Sequence, residues 1–416
     1  MVLRLDPTDI RSFEPSGTKP QKLHFCILGG GFGGLYTALA LHERLKRYPT
    51  PCRITLVEPH SRFTFTPLLY ELLTQELGPQ EVAPTYSQLL AQTSISVQKD
   101  WVESISLPHR RVYLRHGEPL TYDYLVVALG SRQRTFATPG VKSHALPFSN
   151  LEDARKLEQR LTVLEQSPLP LIRLAVVGGG PSGVELACKL ADRLGHRGQV
   201  HLLDRRAALL RTYPVLVQRA ALKALRSRQI TLHLDAAVDA VEAHQIRYHQ
   251  RGQQQILAAD LVLWAVGTSP HHWPSVHGVP ATDRGQCLVS PTLQLPDHPE
   301  VFVLGDMAAM PWAKRGYAPL TAQAAVQAAP IVAHNLWAAI ANRPLKPFTY
   351  HHLGTMLTLG QNSAVVCGFG LTLTGWLGSL VRRWAYWFRM PTWRHRWRVL
   401  SRALRGSALR GSKGFR

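Results

Sequence analysis

The chain has 416 residues, of which 45% are hydrophobic and 18% charged, so its composition excludes a disordered or fibrous protein and allows two or three globular domains. Its formal net charge of +21 is unevenly placed, because no Asp or Glu follows Asp306 while Lys and Arg continue to the last residue. This one-sided basic tail indicates an anionic partner, either nucleic acid or an acidic membrane surface.

Cysteine spacing and hydropathy further limit the classes of protein to which this chain could belong. The five cysteines are scattered, with no CxxC pair and no metal-ligand spacing, which favours structural thiols in a reducing compartment and argues against thioredoxin-reductase chemistry. No run of about 18 apolar residues occurs, so no membrane-spanning helix is predicted. Residues 1–21 are predicted to be a flexible lead-in, because they lack the apolar stretch of a secretory signal. A removable transit peptide is the alternative for this segment.

The first predicted element is a strand that runs directly into a glycine cluster, in the stretch LHFCILGGGFGGLYTALAL from Leu23 to Leu41. In the dinucleotide fingerprint the first glycine permits a tight turn, the second lets a pyrophosphate approach, and the third lets helix and strand pack closely. These places are taken by Gly29, Gly31 and Gly34. The following strand, Ile54–Val57, ends in Glu58, which is placed to bind a ribose diol. A packing turn with a surface Glu is the alternative.

The opening pattern recurs in the middle of the chain. The elements predicted between the two copies are a helical insertion broken by prolines (Leu68–Leu90), an apolar strand (Tyr122–Gly130), a helix (Leu151–Leu164) and a proline-containing linker (residues 167–170). The second copy then consists of a strand (Ile172–Val177), glycines at Gly178, Gly180 and Gly183, a helix (Val184–Leu194) and a strand (Val200–Leu203) that ends in Asp204. Two complete units are far more specific than one, and they predict two dinucleotide sites.

After the second unit the chain adds single elements that would complete both sites. They are a strand (Asp260–Gly267) that matches Tyr122–Gly130 in form, a strand (Glu300–Met307), a long helix (Pro319–Leu336), and two short strands (Thr355–Leu359 and Ala364–Phe369). Two dinucleotide sites in one chain suggest electron transfer between a resident flavin and a visiting nicotinamide.

The tail combines tryptophan and arginine at helical spacing. Five of the ten tryptophans lie here. The apolar positions of the first tail helix are Trp376, Leu377, Leu380, Val381, Trp384, Trp387 and Phe388, with Arg382, Arg383 and Arg389 elsewhere on the turn, and Pro391 ends this pattern. Beyond it Trp393, Trp397, Leu400 and Leu404 face one way, with Arg394, Arg398, Arg402 and Arg405 alongside. This pattern is typical of an interfacial membrane helix. A helix packed on its own domain, or RNA binding through the basic stripe, are the alternatives.

Four motifs, ILGGGFGGL, VVGGGPSGVELA, LVLWAVGTSP and VFVLGDMAA, followed by PLTAQAAVQAA, resemble the two-dinucleotide-binding flavoproteins and, within them, the type II NAD(P)H:quinone oxidoreductases. The resemblance runs from about Leu23 to about Leu400. It implies an α/β fold with two Rossmann-like domains of the glutathione-reductase type and a C-terminal amphipathic membrane-binding segment. The implied domains are 22–165 with 275–345 for FAD, 166–274 for NAD(P)H, and 346–416 for the C-terminal strands and amphipathic membrane-anchoring helices.

The resemblance places FAD on the first unit. The residues implied to bind it or to line the cofactor sites are Gly29, Gly31, Phe32, Gly33, Gly34, Glu58, Val102, Ala128, Gly130, Gly267 and Asp306. Asp306 would hold the ribityl chain, with a helix N-cap as its alternative role. The helix that starts near Pro319 would point its positive end at the flavin pyrimidine edge, where reduced flavin carries negative charge.

NADH or NADPH is implied on the second unit, at Gly178, Gly180, Gly183 and Glu185, with Asp204 on the adenine ribose. An acid at that position repels a 2′-phosphate, whereas Arg205 and Arg206 could pair with one, so the choice between the nucleotides stays open. Glu185 is predicted as a catalytic residue, with an exposed charge in the first helical turn as the alternative.

The resemblance implies that the quinone docks beside Gln323 and Gln327, one turn apart on one helix face. Amide groups can hydrogen-bond quinone carbonyls without bringing charge into an apolar tunnel. Solvent-facing Gln on an Ala-rich helix is the alternative. No metal is predicted, because hydride transfer and quinone reduction are chemistry of the flavin itself.

Three stretches resemble most closely the cyanobacterial and plastid branch that reduces demethylphylloquinone: Leu68–Pro84, Leu353–Gly370 and Phe388–Trp397. The prediction is a peripheral membrane enzyme on the cytoplasmic or stromal face of a plasma or thylakoid membrane, with a lipid quinone as substrate and no nucleic-acid partner. The oligomeric state stays open, a homodimer included.

Competing interpretations are a general type II dehydrogenase that reduces plastoquinone or menaquinone, a soluble ferredoxin or rubredoxin reductase, a sulfide:quinone reductase, and a non-catalytic NAD(P)H-sensing or nucleic-acid-binding protein. A soluble reductase has no need of the Trp/Arg tail, and a sulfide:quinone reductase needs paired redox cysteines near the flavin.

Overall fold

The computed structural model describes residues 22–47, 51–271, 273 and 278–401. The predicted lead-in, residues 1–21, lies outside the described residues, as does the end of the basic tail, residues 402–416.

The first part of the chain alternates strands and short helices. Its strands are β1 (Leu23–Leu28), β2 (Cys52–Val57), β3 (Ile95–Gln98), β4 (Val102–Ser106), β5 (Arg111–Leu114), β6 (Leu120–Thr121), β7 (Tyr124–Val127), β8 (Ser131–Gln133) and β9 (Ala145–Leu146). Its helices are α1 (Phe32–Arg47), α2 (Pro79–Val82), α3 (Tyr86–Leu90) and α4 (Val141–His144), with a 3₁₀ helix at Thr66–Leu72.

The middle part repeats this alternation. Its strands are β10 (Ile172–Val177), β11 (Gly198–Leu203), β12 (Thr231–His233), β13 (Ala236–Val241), β14 (Gln245–Gln250), β15 (Gln253–Ala258), β16 (Leu261–Trp264) and β17 (Thr268–Pro270). Its helices are α5 (Leu151–Gln166), α6 (Pro181–Leu194) and α7 (Val215–Ser227), with a 3₁₀ turn at Gly195–Arg197.

The last part contributes one long helix and the tail. Its strands are β18 (Cys287–Leu288), β19 (Gln294–Leu295), β20 (His298–Val303), β21 (Ala308–Ala309), β22 (Thr355–Thr358), β23 (Ala364–Gly368) and β24 (Leu371–Thr374). Its helices are α8 (Ala322–Ile340) and α9 (Gly375–Arg389), with 3₁₀ turns at Gly305–Met307 and Ala313–Arg315, and residues 393–401 are helical.

Two parallel sheets organise the molecule. The first has the order β19-β20-β7-β1-β2-β3, with only β19 antiparallel, and the second has the order β12-β11-β10-β16-β9, all parallel. The central strand of each, β1 and β10, is an almost continuous buried apolar run, as expected where helices cover both faces of a parallel sheet. The carboxyl ends of β1, β7 and β20 therefore meet at one edge, which is where ligands bind in such sheets.

The predicted α/β class with two Rossmann-like units is confirmed. The short strand β9 joins the edge of the second sheet, although it precedes the predicted domain boundary at residue 166. That boundary stays a prediction.

Two predicted helical stretches differ from the structure. The insertion Leu68–Leu90 is a 3₁₀ helix and two short α-helices, because it carries two prolines. The long helix begins at Ala322 instead of Pro319, since Thr321 caps it by accepting the Ala324 amide at 3.3 Å, and it continues past Pro330 to Ile340.

The C-terminal part adds a three-stranded antiparallel sheet, β22-β23-β24, and α9 packs against β23 and β24. A Cβ on Gly378 would stand 2.5 Å from the Ala364 carbonyl oxygen, so the helix axis lies very close to β23. Within the described ranges, no helix is both long enough and apolar enough to cross a bilayer.

Candidate functional site

The first glycine loop, between β1 and α1, has the shape of a pyrophosphate cradle. Gly29 has φ +94°, and a Cβ there would overlap the Ala128 carbonyl oxygen. A Cβ on Gly34 would overlap the Gly29 carbonyl oxygen, so only glycine lets α1 start this close to β1. Gly31 instead has nothing within 4 Å of where its Cβ would stand. The loop is packed on one side and open on the other, where a pyrophosphate would lie.

Small and aromatic residues surround this loop. A Cβ on Gly33 would stand 3.2 Å from the Ala128 Cβ, a tight contact that favours glycine at position 33. The half-buried Phe32 ring packs edge-on against Phe63 and Phe65, with ring centroids 5.2 Å away in both cases. Phe32, Gly33 and Ala128, all predicted cofactor contacts, therefore lie at the same edge of the first sheet.

Glu58, at the end of β2, is held by two backbone amides. Its Oε2 accepts the Gly30 amide at 2.7 Å and its Oε1 accepts the His60 amide at 3.0 Å. Val102 begins β4, directly after Trp101, whose ring packs edge-on against His60. The predicted ribose acid is thus fixed beside the glycine loop, with Val102 in the neighbouring segment.

Asp306 lies in the 3₁₀ turn that follows β20. Its Oδ2 accepts a hydrogen bond from Ser131 Oγ at 2.6 Å. Burial raises the pKa of the Asp306 carboxyl, and the Ser131 hydrogen bond opposes that rise. Gly130 has φ +73° and open space where a Cβ would stand. A carboxylate and an uncrowded turn thus lie at the sheet edge where β7 and β20 end.

A small, largely apolar pocket lies at the start of α8. It is lined by Phe32, Phe65, Pro67, Ala322, Gln323, Val326, Gln327, Leu353, Tyr386 and Arg389. The pocket is therefore built from α1 of the first unit, from the predicted quinone helix, and from the tail helix α9.

The two glutamines of α8 are half-buried and hydrogen-bonded, so they are not the solvent-facing pair of the alternative interpretation. Gln323 Oε1 accepts the Tyr350 hydroxyl at 2.7 Å and the Leu353 amide at 3.1 Å. Gln327 exchanges two hydrogen bonds with the backbone of His351, at 2.8 and 3.0 Å. Because a side-chain amide carries two N–H donors, each glutamine still has donor capacity for a ligand.

The second glycine loop repeats the first. Gly178 has φ +119°, and a Cβ there would stand 2.5 Å from the Ala265 carbonyl oxygen. A Cβ on Gly183 would overlap the Gly178 carbonyl oxygen, while Gly180 has nothing within 4 Å of its Cβ position. This is the same arrangement of one packed side and one open side.

Asp204 stands in the second unit where Glu58 stands in the first. Its Oδ2 accepts the Gly179 amide at 2.5 Å and its Oδ1 accepts the Arg206 amide at 2.8 Å. Gly267, after the returning strand β16, has φ +76° and open space at its Cβ position. The predicted nucleotide residues of this unit, apart from Glu185, therefore meet at one sheet edge.

Glu185 lies two residues beyond Gly183 and is 7% exposed, so its alternative role as an exposed helix charge is wrong. Its Oε1 accepts the Thr358 amide at 2.9 Å and lies 3.9 Å from Arg382 Nη2 of the tail helix. Burial raises the pKa of Glu185 to about 7, against the lowering effect of Arg382. The structure thus connects Glu185 to the C-terminal segment.

Glu185 belongs to a buried cluster of charges that joins both units to the tail. Arg382, 2% exposed, donates to Glu71 and, at 2.5 Å, to the Pro67 carbonyl. Lys189 of α6, fully buried, pairs with Glu76 and lies 3.6 Å from Glu71.

The sequence predicted Arg382, Arg383 and Arg389 together on the basic side of the tail helix. In the structure Arg382 is buried and lies apart from the other two arginines. Arg382 falls in a stripe with Gly378, Ser379 and Tyr386, the buried residues of α9. A signal was available in the sequence, because this stripe of small and polar residues lies opposite the Trp-rich face.

The sequence profile of the family described as "Pyridine nucleotide-disulphide oxidoreductase" matches residues 23–329, which includes both glycine loops. The chain belongs to this family. The expectation drawn from the four motifs is confirmed.

Individual relatives match over most of their length. The chain is 41% identical over 374 residues to demethylphylloquinone reductase NdbB of Synechocystis, covering 89% of this chain and 93% of the relative. It is 37% identical to the alternative NAD(P)H-ubiquinone oxidoreductase C1 of Arabidopsis thaliana, covering 92% and 80%. It is 30% identical to the type II NADH:quinone oxidoreductase Ndh of Mycobacterium tuberculosis, covering 90% and 86%.

Solved structures agree on the fold. NDH2 of Plasmodium falciparum in complex with NADH superposes with a TM-score of 0.81 at 18% identity, covering 91% of this chain and 96% of that one. The sulfide:quinone oxidoreductase of Aquifex aeolicus superposes with a TM-score of 0.74 at 21% identity, covering 90% and 91%.

The cysteines do not favour a sulfide:quinone reductase. All five lie in the described part of the chain and are free. Burial raises the pKa of the Cys26 and Cys188 thiols to about 12, so neither forms the thiolate that redox chemistry needs at neutral pH.

The residues present fit the two dinucleotides that the family implies. Each loop leaves its middle glycine uncovered, at Gly31 and Gly180, and packs the other two closely against neighbouring backbone carbonyls. Each also places an acid at the end of the next strand, where a ribose is held. Sequence reasoning missed Ser131, the partner of Asp306, and Tyr86, whose hydroxyl donates to the Gly30 carbonyl at 2.8 Å.

Proposed function

We propose that the chain is a peripheral membrane NAD(P)H:quinone oxidoreductase that uses FAD and reduces a prenylated naphthoquinone of the demethylphylloquinone class. One observation carries the proposal. The pocket at the start of α8 joins Phe32, beside the first nucleotide loop, to Tyr386 and Arg389 of an amphipathic tail helix. A lipid quinone entering along that helix would reach the first cofactor directly.

The first unit would hold FAD, with Gly29–Gly34 at the pyrophosphate, Glu58 at the ribose and Asp306 at the ribityl chain. When bound, FAD would accept a hydride from NAD(P)H and supply two electrons to a quinone. The N-terminus of α8 offers unpaired N–H groups and a partial positive charge at the predicted pyrimidine edge.

The second unit would hold the nicotinamide nucleotide, with the pyrophosphate at Gly178–Gly183 and Asp204 on the adenine ribose. The buried carboxyl of Glu185, with its pKa raised to about 7, is suited to hold or release a proton near neutral pH. Quinone reduction consumes protons, and Glu185 is a titratable group that lies between the second nucleotide loop and the tail helix.

The remaining N–H groups of Gln323 and Gln327 would donate to the quinone carbonyls. Both side chains are fixed by the backbone of residues 350–354, so they would present these donors at little cost in entropy. The apolar lining of the pocket would hold the quinone ring.

The tail presents an exposed apolar face for the membrane. The outward residues on α9 are Trp376, Leu377, Leu380, Val381, Trp384 and Phe388, followed by Trp393 and Trp397. Exposed Arg394 and Arg398 accompany them, whereas Arg383, also exposed, pairs with Glu76. The aromatic rings would lie at the membrane–water interface, and the arginines would contact anionic headgroups. The helix would therefore lie in the membrane surface, on the cytoplasmic or stromal side.

Demethylphylloquinone is proposed because NdbB of Synechocystis, named a demethylphylloquinone reductase, shares 41% identity over most of both chains. The chemistry is coherent, since a quinol ring is electron-rich and can attack a methyl donor, whereas the quinone is electron-poor.

The test combines reconstitution with flotation. FAD-loaded protein should oxidise NAD(P)H with demethylphylloquinone faster than with plastoquinone or menaquinone analogues, and equal rates would leave only a general quinone reductase. The double variant Trp376→Glu/Trp384→Glu should stop floating with anionic vesicles and lose turnover of long-tailed quinones while keeping that of a short soluble one. The control, Ile256→Glu, changes a residue that is 64% exposed on β15 and should float like the parent. Flotation of the tail variant would refute membrane binding by this face.

A further inference from the structure

We propose that the segment joining the two units, residues 131–136, forms one wall of the nicotinamide-nucleotide site and selects a dinucleotide with a 2′-phosphate on its adenosine. Arg134, Phe136 and Arg205 are the residues that set this preference for NADPH over NADH. The inference rests on the proposed function, because it concerns the second nucleotide cradle of that enzyme.

The backbone of this segment is fixed to the nucleotide edge of the second sheet. Strand β8 pairs antiparallel with β17, which directly follows Gly267. The Arg134 amide donates to the Gly267 carbonyl at 3.2 Å, and the Trp264 indole N–H donates to the Arg134 carbonyl at 2.8 Å. Arg134 is therefore anchored to the end of β16, the strand that lies beside β10 and its glycine loop.

One exposed aromatic ring gathers two cations at this edge. The guanidinium carbon of Arg134 lies 4.5 Å from the centroid of the Phe136 ring, and that of Arg205 lies 5.5 Å from it. Phe136 is 45% exposed and has φ +52°, a left-handed conformation that is strained for an aromatic residue. Residues in such strained conformations concentrate at ligand sites, and this one holds two like charges on a ring that is partly open to solvent.

These cations have no carboxylate partner within the described ranges. Neither Arg134, Arg205 nor Arg206 forms an ion pair there. The neighbouring acid, Asp204, accepts backbone amides with both of its oxygens. Two exposed guanidinium groups on one ring, with Arg206 next in sequence and Asp204 as the neighbouring acid, make this edge positively charged, and a dianionic phosphate is the group that would compensate it.

The first unit of the same chain provides an internal comparison. Glu58 accepts the amide two residues on, from His60, as Asp204 accepts that of Arg206, so the two turns are equivalent. The positions after Glu58 are Pro59 and His60, whereas those after Asp204 are Arg205 and Arg206. FAD carries no 2′-phosphate, and the arginines occur only in the unit predicted to bind the nicotinamide nucleotide.

The test compares kcat/KM for NADPH and NADH in FAD-loaded enzyme with a soluble quinone. The NADPH to NADH ratio should fall about tenfold or more in Arg205→Gln and in Arg134→Gln, as expected for loss of a charge-assisted hydrogen bond to phosphate. Phe136→Leu should lower the NADPH to NADH ratio less, because Arg134 and Arg205 keep their charges and lose only the aromatic ring that both contact. Arg226→Gln, on the exposed face of α7, removes the same charge elsewhere and should keep the ratio of the parent.

A binding measurement gives a second readout that needs no turnover. By calorimetry 2′,5′-ADP should bind more tightly than 5′-AMP, and Arg205→Gln should abolish most of the difference. If the variants keep the parent's ratio and its discrimination between these two probes, the phosphate site is refuted while the oxidoreductase stands. If the parent oxidises neither nucleotide with any quinone, the proposed function itself fails, and the binding comparison alone decides the phosphate site.

Discussion

Replacing Glu185 by Gln should change how the stability of the protein depends on pH. The Glu185 carboxyl is 7% exposed, and burial raises its pKa from 4.5 to about 7 although Arg382 lies 3.9 Å away. Gln has nearly the same shape and can still accept the Thr358 amide, but it cannot ionise.

The sign follows from proton binding in the two states. Below pH 4.5 the carboxyl is protonated in both folded and unfolded chains, so it contributes nothing. As the pH rises from 4.5 to about 7, the unfolded chain releases the proton and the folded chain keeps it, so stability falls. Above this window the loss is constant at about 3 kcal/mol, from about 1.4 kcal/mol per pKa unit.

The assay is denaturant unfolding of the FAD-loaded parent and variant at about pH 5.5 and about pH 8, where the Glu185→Gln variant should gain roughly 2 kcal/mol relative to the parent between the two conditions. Effects of pH on FAD binding are the same in parent and variant, so they cancel in this comparison. A loss of stability that does not depend on pH, from losing the attraction between Glu185 and Arg382, cancels as well. Glu43→Gln, an exposed position on α1, should follow the parent at both pH values. If Glu185→Gln also follows the parent, the carboxyl is ionised in the folded protein and the reasoning on its burial is wrong.

Three further outcomes are expected. Gly34→Ala should purify without FAD, because its Cβ would overlap the Gly29 carbonyl oxygen, and the flavin absorbance per chain after gel filtration measures this. Arg382→Met should lower the free energy of unfolding by about 3 kcal/mol, since it removes the hydrogen-bonded partner of the buried Glu71 and leaves that carboxyl only Lys189, 3.6 Å away, and adding Glu71→Gln should recover part of that loss in urea unfolding. Asp306→Ala should weaken FAD binding about tenfold or more in a fluorescence titration, and an unchanged affinity would remove this residue from the cofactor site.

The nucleotide loops could be predicted from sequence because everything that shapes them is local. A strand, a turn with positive φ and a helix follow one another in the chain. The first and third glycines of each fingerprint meet backbone of the same loop or backbone directly after the returning strand. The acid at the end of the next strand, Glu58 or Asp204, is placed by the register of two neighbouring parallel strands. Periodicity and glycine spacing carry that information.

The environment of Glu185 could not be predicted, because it is made by residues far apart in sequence. Its amide partner, Thr358, lies 173 residues away, and Arg382 reaches Glu71 across 311 residues. An isolated helix pattern cannot tell whether a carboxylate in the first turn meets water or another segment. The same holds for Gln323, whose hydrogen bonds go to residues 350–354.

The two faces of α9 determine how the protein would meet a membrane. One face, with Arg382 and Tyr386, is buried against the first unit, and Arg382 pairs there with Glu71. The other face, with Trp376 and Trp384 among its residues, is exposed. Because withdrawing α9 would break the Arg382–Glu71 pair and the contact of Tyr386 with Phe65, we expect the helix to stay docked and the whole protein to lie on the bilayer. The pocket lined by Tyr386 would then open near the lipid surface, so deleting the tail would damage the site as well as the anchor, and only outward-face substitutions separate the two effects.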